Sequence, residues 1–159
     1  MSETTRNIQL NISNKVKYTI NGDESKFIEL NPKDFGISAR FGESVPRLNA
    51  LADQFESLSP SEEEKDDDYL VRFAESFRRI DEEIRQIINF LFDYDVCSVC
   101  ASDGSMLDLQ DGEYRYSVII NTLFQLYEDN ISTEMKKMEA AMKKHTDKYT
   151  TKDHQRKKN

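Results

Sequence analysis

Histidine, cysteine, proline and glycine are all scarce in this chain of 159 residues: two, two, three and five copies respectively. Three prolines and five glycines are too few for a sandwich or barrel, whose many turns draw on both. Two cysteines fit a reducing compartment better than a disulfide framework. Cys97-Ser98-Val99-Cys100 lacks the second ligand pair that a structural zinc site needs. It also lacks the βα context of a thioredoxin-like redox pair, so it reads as two half-buried thiols at a helix end. The histidines, His145 and His154, are confined to the C-terminal region, so no nucleophile elsewhere has an evident base. Gly36 and Gly42 are isolated and form no phosphate loop. Asp103, Ser105, Asp108, Asp111 and Glu113 offer oxygen atoms, but their spacing misses that of a calcium loop. No run approaches the roughly 20 apolar residues of a membrane span. The opening MSETTRNIQLNIS has no basic region followed by an apolar one, so no signal peptide is expected. The expectation is a soluble, cytoplasmic, non-enzymatic protein with no catalytic residue, cofactor or metal.

Charge is plentiful. Charged residues make up 33% of the chain, apolar ones 37%, and the net charge is −8. The distribution is polar: from Lys136 onward there are nine Lys and Arg against three acids, a local +6 that leaves −14 for residues 1–135. An acidic body disfavours nucleic acid and anionic membrane over most of its surface. The basic terminus has little aromatic interleaving, so nucleic acid binding through it ranks last among the functional readings.

Apolar periodicity divides the chain. Ile8, Leu10 and Ile12 alternate with polar residues, and Val16, Tyr18 and Ile20 repeat the pattern after Ser13-Asn14-Lys15. Asn21-Gly22-Asp23 signals a turn, and residues 26–30 read as a further strand. Residues 7–30 are therefore expected to form a small antiparallel β meander. Asn31-Pro32 reads as a helix start, and residues 32–58 as a helix kinked or divided near Ser44 by Pro46. Ser59-Pro60-Ser61-Glu62 reads as the start of a central helix over 60–95.

That central helix organises the chain. Leu70, Phe73, Phe77, Ile80, Ile84, Ile87, Leu91 and Tyr94 recur at steps of three and four. Ile88, Phe90 and Phe92 widen the stripe, which places its second half at the buried centre. Asp68 with Arg72, Glu75 with Arg79 and Asp81 with Arg85 have helix-pair spacing, and Asp81-Glu82-Glu83 reads as a wet face. The acidic run at 62–68 reads as an exposed, dipole-favoured first turn. Residues 97–112 read as a loop. A last helix over 113–144 carries Tyr116, Ile120, Leu123, Phe124, Tyr127, Ile131, Met135, Met138 and Met142 on one face. Residues 146–159 are expected to be a disordered basic tail. The expected fold is α+β and mainly helical: a single domain over 1–145, with the meander packed on three or four helices.

Methionine adapts to varied apolar partners, so the stripe Met135, Met138, Met142 is a candidate partner surface beside its simpler reading as core. Leu30-Asn31-Pro32-Lys33-Asp34-Phe35-Gly36 with Ala39-Arg40-Phe41, the Asp103-Gly104-Ser105 loop and the basic terminus together suggest a family. The chain resembles the small tail-assembly-chaperone-like proteins of long-tailed bacteriophages that infect Gram-positive bacteria. The resemblance implies a binding role in the host cytoplasm. Such proteins coat the helical tape-measure protein until tail-tube subunits displace them, and some are also made in a frameshifted longer form. It implies no catalytic residues. Phe35 and Phe41 lie in the matched stretch and join Met135, Met138 and Met142 as candidate partner contacts. The alternative reading is a structural interaction module, either a small phage connector or a self-assembling coiled-coil oligomer.

Overall fold

The computed structural model describes residues 3–127, 136–137 and 139–144. Its order is β1 (Val16–Ile20), β2 (Asp23–Leu30), α1 (Gly36–Glu56), α2 (Asp66–Phe92), α3 (Cys97–Cys100), β3 (Leu109–Gln110), β4 (Glu113–Tyr114) and α4 (Arg115–Phe124). Residues 139–144 are also helical. The fold is α+β and mainly helical, with a small antiparallel N-terminal sheet. The expected basic tail, 146–159, lies outside the described residues.

Helices α1 and α2 form an antiparallel pair. Arg40, early in α1, donates from Nε to the Leu91 carbonyl at the end of α2 (2.9 Å). Late in α1, Gln54 Oε1 accepts from Arg79 of α2 (3.0 Å), and Phe55 packs on Phe73 and Phe77. Ile80, Ile84, Ile87, Ile88, Leu91 and Phe92 are buried, whereas Leu70 at the start of α2 is 60% exposed. The core is thus at the C-terminal half of α2, as the widening stripe predicts, although Phe90 points outward. Against it lie Ile28 and Leu30 of β2, Phe41 and Leu48 of α1, and Tyr116, Ile120 and Phe124 of α4. The Phe41 and Phe124 rings meet edge to face at 4.0 Å.

Several expected boundaries differ, each for a physical reason. Pro46 does not divide α1, which runs unbroken from Gly36 to Glu56. It sits on the solvent face with Gly42, where water can reach the carbonyl left without a donor. The roughly 3 kcal/mol a mid-helix proline costs is offset by an unbroken buried face, Ile37, Phe41, Val45, Leu48 and Leu51. Helix α1 starts at Gly36 rather than at Pro32, because Asn31 folds a turn onto Lys33 N–H (3.0 Å). Asp34 then takes the Gly36 N–H (2.8 Å) and pairs with Arg40 (2.6 Å).

Similarly, α2 starts at Asp66 rather than near Pro60. Glu64 accepts from the Ser61 N–H (3.2 Å) in a turn ahead of the helix, and Arg72 holds its carboxylate through two hydrogen bonds of 2.9 and 3.0 Å. The ion pairs differ accordingly. Arg72 pairs with Glu64 instead of Asp68, Arg79 with Glu83 instead of Glu75, and Arg85 with Asp81 as its spacing predicts (3.0 Å). Helix α2 ends in a left-handed Asp93 (φ 51°). The N–H groups of Asp93 and Tyr94 close on Phe90 and Asn89 carbonyls, the pattern of a Schellman cap.

Two short hairpins share one turn chemistry. Asn21 and Gly22 join β1 to β2, Asp111 and Gly112 join β3 to β4, and all four have positive φ, as a twisted two-residue hairpin turn requires. The expected loop over 97–112 therefore contains the short α3 and one strand of a hairpin. The last helix does not run unbroken from 113. It stops at Phe124, and a tighter turn sets Tyr127 N–H on the Phe124 carbonyl (3.1 Å) and Tyr127 against Phe92. The first expected strand, residues 7–12, is absent: Ile8, Leu10 and Ile12 are 78%, 72% and 76% exposed and belong to no strand.

Candidate functional site

A cleft of about 520 Å3 opens between the β1–β2 hairpin and α4. Its hairpin wall is Tyr18, Ile20 and Ile28, and its floor is Val118, Ile119, Thr122, Leu123 and Leu126. The wall follows from the ladder: Tyr18 stands opposite Ile28 and Val16 opposite Leu30, so all four share one sheet face. Ile28 and Leu30 complete the core, while Tyr18 and Ile20 remain half-exposed. The floor follows from the breadth of the α4 stripe. Tyr116, Ile120 and Leu123 bury one side of it, which leaves Val118 and Ile119 a second apolar strip facing the hairpin.

Two polar groups of the cleft, Arg115 and Thr122, are engaged within the fold, Thr122 Oγ1 donating to the Val118 carbonyl (2.7 Å). Arg115 reaches the Asp103 carbonyl and its carboxylate (3.2 Å to Oδ1), with Asp108 Oδ2 at 3.8 Å. Gly104 makes that arrangement possible. Its φ is +73°, and a Cβ there would lie 2.5 Å from Asp108 Oδ2 and 2.6 Å from Arg115 Nη1. Cys100 lines the end of the cleft, and burial raises its thiol pKa. Cys97 is deeper, and burial pushes it up to about 12. Thiols kept protonated are poor nucleophiles and poor metal ligands. Among the described residues no group of three or more His, Cys, Asp or Glu is placed to hold a metal ion.

A clasp behind the cleft fixes the 101–108 segment. Asp81 pairs with Arg85, and its Oδ1 accepts from Ser105 Oγ (3.0 Å) and Met106 N–H (2.7 Å). Arg85 also donates to the carbonyls of Ala101 (2.9 Å) and Gly104 (2.8 Å). Asp81 is therefore a half-buried anchor and not part of a wet acidic face. Asp95 orders the start of α3. Hydrogen bonds from Ser98 hold its carboxyl below the usual carboxylate range.

Three of the five candidate partner residues are among the described residues. Phe41 is fully buried, Met142 is 1% exposed and Phe35 is 63% exposed. Met135 and Met138 lie outside the described residues, as do Ile131 and both histidines. Phe41 and Met142 are core residues in this conformation, so neither offers a surface for docking. The cleft, assembled from two segments about 100 residues apart in sequence, was missed. Its signals were present in the Val16, Tyr18, Ile20 alternation and in the excess apolar width of α4.

No family model, curated protein or solved structure matches the chain. No helix among the described residues is long and apolar enough to cross a membrane.

Proposed function

We propose that this protein is a non-enzymatic binding protein, a tail-assembly chaperone. In this reading it holds apolar helical segments of a phage tape-measure protein in the host cytoplasm until the tail tube assembles. The observation that carries the reading is the cleft between the hairpin and α4. It is open and apolar, and its charged neighbour Arg115 is already neutralised by Asp103 and Asp108. Such a surface suits an apolar segment held by burial, with few polar contacts to fix its sequence. The acidic body keeps the carrier soluble and discourages copies from clumping. The tape-measure client itself rests on the sequence resemblance.

The exposed Ile8, Leu10 and Ile12 favour a second reading, a self-assembling structural module. Affinity capture of the tagged full chain from its native lysate, with mass spectrometry and stoichiometry, separates the two. Several copies on one very long helical protein, released by Ile119→Asp with Leu126→Asp, is the chaperone result. Recovery of copies of itself alone, at low and high salt alike, contradicts it.

A further inference from the structure

Residues 7–13 and the free edge of β1 are complementary. On a strand, Ile8, Leu10 and Ile12 fall on one face, and all three are more than 70% exposed. Strand β1 has β2 along one edge and, among the described residues, no strand along the other. Unpaired edges are sites for strand addition. A strand laid there sets its apolar side chains beside Tyr18 and Ile20, over Val118 and Ile119 of α4 and Leu126 just beyond it. We propose that a second copy of this chain supplies that strand, and that two copies exchange their 7–13 arms reciprocally about a twofold axis.

Loop chemistry favours a second copy over the chain's own arm. A two-residue loop would set Ile12 opposite Lys17, turning the arm's apolar face away from the cleft. A three-residue loop, Ser13-Asn14-Lys15, would set Ile12 opposite Val16 and Leu10 opposite Tyr18, the matching faces. Its last residue, however, must adopt the left-handed backbone that glycine favours, and that residue is Lys15. Both hairpins that do form have glycine second in their turns. An arm from another copy has no loop to close, so it can pair in the register that matches the faces.

The composition of the arm agrees. Residues 7–14, NIQLNISN, carry no charged side chain, so they enter an apolar cleft without stripping water from an ion. The arm would fill the same cleft as a client segment, so in the client reading a client displaces it; the inference itself needs no client, because every copy carries an arm.

Sedimentation equilibrium on the full chain is expected to give a dimer. Replacing Ile8, Leu10 and Ile12 together by serine is expected to weaken it by roughly a hundredfold without lowering the thermal midpoint of the monomer. Lys15→Gly, which supplies the missing loop, is expected to give a monomer by pairing the arm within its own chain. In a Cys100→Ser background, which removes the half-buried thiol that lines the same cleft, mixing a chain carrying Asn11→Cys with one carrying Thr19→Cys should yield a covalent dimer with a short bismaleimide, since the remaining Cys97 is buried. Three results would overturn the proposal: a monomer at every concentration, a dimer indifferent to the arm changes, or cross-links confined to single chains that carry both cysteines.

Discussion

Residues 16–30 and residues 7–13 carry the same alternation of apolar and polar side chains, yet only the first is a sheet. In the hairpin, Ile28 and Leu30 are essentially inaccessible, while in the arm Ile8, Leu10 and Ile12 stand in solvent. The β propensity of the two is alike. The difference lies in the connection: Asn21-Gly22 closes one hairpin with two positive-φ residues, and Ser13-Asn14-Lys15 offers no glycine. Alternation determines which face is apolar, and turn chemistry determines whether that face finds a partner within the chain.

The comparison breaks most sharply under truncation. Phe41→Ala removes a ring held against Phe124 and should cost ~3–5 kcal/mol in urea unfolding. Leu10→Ala in the arm should stay within ~0.5 kcal/mol for the monomer. Equal losses would mean that the arm belongs to the core. Asp81→Ala should cost about 1–3 kcal/mol, because it leaves Met106 N–H without its acceptor and Arg85 without its partner. Hydrogen exchange over 101–108 should accelerate with it.

Gly22→Ala probes the turn itself. With φ at +75° and no atom within 4 Å of the added Cβ, the cost is backbone strain alone, about 1–2 kcal/mol. Measured against Lys15→Gly, it asks whether removing a glycine from one loop and adding one to the other have opposite effects on strand content by infrared spectroscopy.

A further effect is one of pH. Cys97 ionises near its ordinary value of 9.0 once unfolded but at about 12 in the folded chain. Between those values the unfolded state releases a proton that the folded state keeps, so stability falls as pH rises through that window. Burial raises Tyr116 and Tyr127 in the same sense. A urea midpoint that holds constant from pH 9 to 11 would contradict this assignment, as would thiol labelling of the native protein as fast as that of the unfolded one.

Much of the architecture was legible because it rests on periodicity. The stripe from Ile80 to Leu91 and the face from Tyr116 to Phe124 are strong repeats that tertiary packing reinforces. Boundaries were less so. Pro46 obeys the buried face of α1 rather than its own preference, and Asn31-Pro32 and Ser59-Pro60 make turns that look like helix starts. The ion pairs of Arg72 and Arg79 depended on where α2 begins and on which neighbour lay within reach. The cleft was hardest to see, because Tyr18 and Ile119 meet only through the packing of the hairpin on α4. Phe41 was a candidate partner contact, and its burial follows from the same spacing that sets Val45 and Leu48 inward.

The central claim is that the β1 edge and its cleft are where this protein meets another polypeptide strand. Hydrogen exchange by mass spectrometry over residues 7–20, followed against protein concentration, tests it most directly. Residues 84–92 of α2 should be protected at every concentration. Protection over 7–13 and along β1 should rise together with concentration and disappear on dilution. An arm that exchanges as fast as free peptide at all concentrations, beside a β1 whose protection never changes, would contradict the account.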